Sequence, residues 1–305
     1  MKKRAIQAVL LISLVFLFSG ITLGADPVKI GVVYPLTGPI AAAGSYQKAG
    51  VEIARDKINS EGGILGKPFT LFVEDGANDP AQSVSAAEKL VTREKVDAMI
   101  AAWGSSPTLA VSASVTKKYG VPHIVDTASS VKVTLQDGKR PNPWLFRVSP
   151  TSRMEAVGLE KFLVSRMGFT KVAFMAVNND WGRGAAEEFG NVVKRTGGSV
   201  VTTEIINADA TDFLTQLTKI KGSEANSIIV TTDQAQISLI LKQYLLLRPL
   251  RLQSHGGVEP RRNGTTRKRG GRPGTGVVGP ELPEKILPVD ALVRPPLSLP
   301  PAGAV

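Results

Sequence analysis

Apolar positions between Val28 and Leu247 follow two alternating rhythms. Short β-branched runs recur at residues 28–34 (VKIGVVY), 69–74 (FTLFVE), 97–103, 121–126, 171–177 (KVAFMAV), 199–206 and 227–230. Between them lie stretches with the three-to-four spacing of amphipathic helices, at 44–60, 80–94, 107–119, 151–167, 182–196, 212–221 and 235–247. Strands that alternate with helices predict an α/β protein with parallel sheets, because a parallel pair needs a helical crossover. Local signals mark the helix ends: Pro80 stands in a first turn, Thr151 at a cap, and Gly197-Gly198 after a C-terminus. One interval breaks the rhythm. Residues 129–143 lack periodicity and contain Asp137-Gly138 and Pro141-Asn142-Pro143, which predicts a long surface loop leading into a short run at 144–148. The pattern then restarts, so the body reads as two similar Rossmann-like lobes, 26–149 and 150–245, joined near Ser149-Pro150, with the second incomplete.

The ends differ from this body. Residues 1–25 carry Lys2, Lys3 and Arg4, an apolar run from Ala5 to Phe18, and small residues up to Ala25, which predicts a secretory signal peptide with cleavage before Asp26. The apolar run is shorter than the roughly 20 residues of a spanning helix. Residues 246–305 hold 10 of the 20 prolines and 9 of the 30 glycines, no aromatic residue, and 8 Arg against 2 Lys. Without periodicity or apolar density such a segment is expected to be disordered. Three readings compete for it: a native disordered tail, a basic nucleic-acid arm (Arg261, Arg262, Arg267, Lys268, Arg269, Arg272), and out-of-frame translation. The composition fits the third best.

Charge follows the same division. The net charge of +11 would suggest a polyanionic partner if it covered a folded surface, but residues 26–245 contain 24 bases and 22 acids, and the excess sits at the two ends. The basic tail has no interleaved aromatics to stack on bases, so no nucleic-acid partner is expected. Absence of cysteine removes disulfides, thiolate nucleophiles, a lipoprotein anchor and Cys-ligated metals.

The segments KIGVVYPLTGPIAAAGS (29–45), NSEGGILGKPF (59–69), VEDGANDPAQSVSAAEKLV (73–91), GVPHIVDTASS (120–130) and DWGRGAAEEFGN (180–191) resemble the class I periplasmic solute-binding proteins of ABC importers, in particular the branched-chain amino-acid-binding type. The resemblance is continuous from Val28 to about Tyr244. It implies two lobes closing on a small ligand, a monomer in the periplasm, and delivery to an inner-membrane ABC permease. Amino acids, amides, urea and aromatic acids are all served by the same pattern. It also implies that further sequence normally completes the second lobe, which leaves a non-functional fragment as an alternative. A sensory or nucleic-acid-interacting module is the alternative should the basic tail be native.

Candidate ligand residues follow from strand ends and from this resemblance. Ser105 and Ser106 lie between a strand and a helix, where hydroxyls and the positive end of the helix dipole suit a carboxylate. The plainer reading makes Ser106 an N-cap before Pro107. Thr127, Ala128 and Ser129 match the loop that holds a substrate's ammonium and carboxylate in relatives. Asp126, where relatives commonly carry Pro or Ser, suits an ammonium group or a turn. Trp181 matches a frequent Tyr at the cleft lip, or else packs on its own lobe, and Asp233 is a further candidate for the ammonium. Ala43 stands where branched-chain binders often have an aromatic wall, so a ligand larger than or shaped differently from leucine is compatible.

No enzyme is expected. Gly182-Arg-Gly184-Ala-Ala-Glu187 comes near a dinucleotide fingerprint, but Glu187 occupies the third glycine position. The only histidines are His123, inside a predicted strand, and His255, so neither a triad nor a metal cluster can be assembled, and no cofactor is expected.

Overall fold

The computed structural model describes residues 26–247 and 285–288. The predicted signal peptide and most of the 246–305 tail therefore lie outside the described residues. The chain divides into two compact units. Among the described residues, one comprises 26–128 with Lys132–Ser149, and the other Ser129–Val131 with those from Pro150 to Leu247 and Lys285–Pro288.

The first unit holds β1 (Val28–Tyr34), α1 (Ala41–Ser60), β2 (Phe69–Asp75), α2 (Pro80–Lys89), β3 (Ala98–Ala101), α3 (Ser105–Val111), β4 (His123–Val125) and β5 (Leu145–Arg147). Two helices run on through wider π-type turns, Leu90–Glu94 after α2 and Ser112–Thr116 after α3, and Lys117–Tyr119 completes the latter. The strands are all parallel in the order β2-β1-β3-β4-β5. Val33, Met99 and Ala101 pack against Ala86, Ala87, Leu90, Val111 and Val115 of the α2 and α3 helices. Across the opposite face, Val32 pairs in register with Ile100, Ile100 with Ile124, and Ile124 with Phe146. Burial falls along that row from complete at Val32 to 47% exposure at Phe146.

The second unit holds α4 (Ser152–Glu160, continued by Lys161–Arg166), β6 (Lys171–Val177), α5 (Asp180–Arg195), β7 (Ser199–Ile206), α6 (Leu214–Lys221), β8 (Ser227–Thr231) and α7 (Gln234–Leu247). Strands β7-β6-β8 form a parallel sheet. From Val172 to Val177 every residue of β6 is buried, as expected of a strand covered on both faces. Alternate residues serve opposite faces. Ala173, Met175 and Val177 join Phe213, Leu217, Ile240 and Tyr244, while Val172, Phe174 and Ala176 join Leu163, Phe189 and Val193.

Three expectations change. The helix placed at 107–119 begins at Ser105, with Gly104 in extended conformation at the N-cap, so Ser106 sits inside the first turn and does not cap it. The loop at 129–143 contains a 3₁₀ turn, Val131–Val133, and a tight hairpin in which Gln136 and Lys139 bridge across the left-handed Asp137 and Gly138. Within the tail, Lys285–Pro288 departs from the reading of 246–305 as disordered. This segment, β9, pairs in parallel with β8, with Ser227 opposite Lys285 and Val230 opposite Pro288. The edge of a buried strand presents unpaired backbone groups, and β9 meets part of them.

Candidate ligand-binding site

In a parallel sheet all carboxyl ends lie on one edge. The order β2-β1-β3-β4-β5 reverses direction at β1 and β3, and ligands of open α/β sheets bind outside that reversal. The turns after β1, β3 and β4 in the first unit therefore define the candidate site.

The turn after β1 is held by Asp75, at the end of neighbouring β2. Its carboxylate accepts from Leu36 N at 2.8 Å, Thr37 Oγ1 at 2.6 Å and Ala77 N at 2.8 Å. Burial acts to raise the pKa of Asp75, but bonds from Thr37, Ala77 and Leu36 outweigh it and hold the group below the usual carboxylate value. Helix α1 approaches this turn so closely that a Cβ on Gly44 would lie 2.0 Å from Pro35 O. Only glycine permits that contact.

The turn after β3 is shaped by Asn78, which is left-handed, as is its neighbour Ala77. A Cβ on Gly104 would meet Asn78 Oδ1 at 2.4 Å, so glycine at the start of α3 lets the amide lie against the backbone. Thr108 Oγ1 donates to Gly104 O at 2.8 Å and to Ala102 O at 3.2 Å, tying the turn to its own helix. Ser105 is buried beside it.

The turn after β4 carries a polar cluster. Asp126 Oδ2 accepts from Tyr34 Oη at 2.7 Å and from Gln47 Nε2 at 2.9 Å, and Gln47 Nε2 also reaches Thr127 Oγ1 at 2.5 Å. Burial raises the pKa of Asp126, and the Tyr34 and Thr127 hydrogen bonds oppose that rise. Burial and the adjacent Asp126 charge push the Tyr34 phenol upward, so Tyr34 stays a neutral donor. Below the cluster His123 is wholly buried in β4. Its Nε2 donates to Ala101 O and its Nδ1 accepts from Thr116 Oγ1 at 2.9 Å, the pattern of a neutral ring.

The candidates thus fall into two groups. Ser105, Ser106, Asp126, Thr127 and Ala128 belong to the first unit, although Ala128 is buried against Val125, Val133 and Leu145. Ser129 belongs to the second unit, where its hydroxyl meets Ser152 Oγ at 3.0 Å and its carbonyl accepts from Ser152 N at 2.8 Å. Trp181 packs against the apolar cluster of its own unit, and Asp233 Oδ1 accepts from Gln236 N at 3.0 Å, at the start of α7. Sequence reasoning missed Tyr34, Gln47, Asp75 and Asn78. One signal was present for Tyr34, since a buried tyrosine in an apolar strand needs a partner for its hydroxyl. The near-fingerprint at Gly182 also has a packing cause: a Cβ there would lie 2.2 Å from Val177 O.

Parallel α/β units with polar turns gathered at strand ends have the architecture on which open-sheet proteins bind small ligands. The chain belongs to the periplasmic binding protein family, which it matches over residues 27–245. It is 28% identical over 226 residues to the leucine-, isoleucine-, valine-, threonine- and alanine-binding protein of Pseudomonas aeruginosa, covering 74% of this chain and 59% of that protein. The branched-chain amino acid transporter substrate-binding protein LivJ of Streptococcus pneumoniae, solved with isoleucine, is 29% identical with a TM-score of 0.64, over 72% of this chain and 61% of that one. An ABC-transporter solute-binding protein of R. palustris, solved with 4-hydroxybenzoate, is 26% identical with a TM-score of 0.64, over 72% of this chain and 58% of that one. The chain spans about three fifths of the length of these relatives. Membership in a binding-protein family agrees with the expectation that the chain is not an enzyme.

Proposed function

We propose that the chain captures a small carboxylate, an amino acid or an aromatic acid, in the periplasm and serves an inner-membrane ABC permease. The hydroxyl-bearing turn Gly104–Ser106, at the positive end of α3, receives the carboxylate. Thr127 and Asp126 supply acceptors for the rest of the ligand, and Ser129, Trp181 and Asp233 are the second unit's candidates. The observation that carries the reading is the convergence of three polar turns, held by Asp75, Asn78 and Gln47, on the carboxyl ends of β1, β3 and β4. Relatives that hold isoleucine and 4-hydroxybenzoate support both ligand classes.

Thermal melting with isoleucine or 4-hydroxybenzoate tests it, because a ligand that binds only the native state raises Tm. At least one of them is expected to raise Tm in a concentration-dependent way. Ser106→Ala should then weaken binding by about 1–3 kcal/mol, the loss of a hydrogen bond to a charged group. A melt unmoved by both compounds would remove the reading.

A further inference from the structure

The polar cluster behind Thr127 has more acceptors than donors. Tyr34 and Gln47 both give their protons to Asp126 Oδ2, whereas Oδ1 receives the Thr127 hydroxyl at a long 3.3 Å. Gln47 Oε1 is buried and has no hydrogen-bond partner among the described residues. Its orientation is fixed by its neighbours, since turning the amide over would set its carbonyl against the Asp126 carboxylate. Across the site Asn78 Oδ1, lying against Gly104, is likewise buried and without a partner. Two carboxamide oxygens, one on helix α1 and one in the turn after β2, therefore lack a donor among the described residues, and buried acceptors are rarely left so.

We propose that Gln47, anchored by Asp126 and Thr127, is a specificity-determining residue that selects ligands whose side chain carries a hydrogen-bond donor over equally shaped ligands without one. The inference rests on the strand ends of the first unit being the ligand site. A carboxylate group brings only acceptors and answers neither amide. Gln47 Oε1 is already shut off from water, so an aliphatic ligand side chain leaves it unmet, whereas a hydroxyl or amine brought to it supplies the missing proton. Sites that bond a substrate hydroxyl reject the analogue that lacks it far more strongly than apolar pockets separate ligands by one methylene. The small side chains Ala41, Ala42 and Ala43 at the start of α1, four to six residues before Gln47, agree with a pocket that reads polarity there in place of an aromatic wall.

Matched pairs that differ in donor content test this on the purified full chain: threonine against its near-isostere valine, and 4-hydroxybenzoate against benzoate, measured by calorimetry. In at least one pair the hydroxylated member should bind tenfold tighter or more. Gln47→Met, which keeps length and removes the amide, should shrink that ratio below threefold. The inference is overturned by wild-type ratios within threefold in both pairs, or by a ratio that survives Gln47→Met in a variant with an unchanged melt. The wild-type ratio decides the matter even should the variant fold poorly. Binding of all four compounds without discrimination would remove this inference alone; binding of none would remove the proposed function with it.

Discussion

The two units use the same architecture for different ends. In the second unit the sheet is covered on both faces, and its described strand-end polar groups serve packing and helix starts. Asn179 Oδ1 accepts from Gly182 N at 2.8 Å, Asp233 caps α7, and Gln236 Nε2 ties Asn207 O at 2.8 Å and Ala210 O at 3.0 Å. In the first unit the sheet is closed on one face and grows open toward β5 on the other, while Tyr34, Gln47, Asp75 and Asp126 form a hydrogen-bonded layer at the strand ends. A βα repeat that is apolar on both faces thus leaves its polar groups at helix starts. Buried polar groups between strand ends instead tie neighbouring turns to one another, which is what preorganises a surface for a ligand in the function proposed above.

The sharpest way to break this comparison is to cut the same kind of contact from each sheet. Phe174→Ala, at the centre of β6 with no exposed surface, should cost about 3–5 kcal/mol through lost burial and a residual cavity. Ile124→Ala, on the open face of β4, is already 36% exposed and should cost about 1 kcal/mol or less. Urea unfolding measures both, and equal losses would show that the open face is covered in solution.

Acid separates the units next. Burial holds the His123 pKa down at about 4, below the ordinary 6.5, so the folded state favours the neutral ring. The stabilisation is present in full above pH 6.5 and is lost as pH falls from about 6.5 to about 4. That amounts to at most about 3 kcal/mol, and no histidine lies in residues 150–247. Melting of the wild type should therefore fall more steeply over that range than melting of His123→Leu. Parallel pH curves for the two would place the acid sensitivity elsewhere.

Smaller effects sharpen the picture. Asn179→Ala should cost the second unit about 1 kcal/mol through loss of its N-cap. Phe146→Thr, on the open face of the edge strand β5, removes a half-exposed ring that lies against the Arg140 guanidinium at 4.8 Å and should cost about 1 kcal/mol. Chemical denaturation resolves both, and an unchanged midpoint in the second would mean that the Arg140 contact contributes nothing to stability.

Much of this architecture was legible in the residues. β1, β6 and β7 have the predicted limits, because β-branched runs between turn signals have one low-energy reading. Helix starts were less so. α1 begins at Ala41, three residues before Gly44, and α3 begins at Ser105, since alanine carries no start signal of its own and Ser105, Ser106 and Pro107 offer competing ones within three residues. The α/β class, the two repeats, the candidate turns and the family resemblance all follow from periodicity and motif, which are local. Which side chains meet at the strand ends is not local. Tyr34, Gln47 and Asp126 are up to 92 positions apart, and hydrogen bonds between them exist only because parallel crossovers bring β1, α1 and β4 to one edge of one sheet. The same topology gave Ser129 to the second unit while leaving Thr127 in the first, a division that no spacing along the chain encodes.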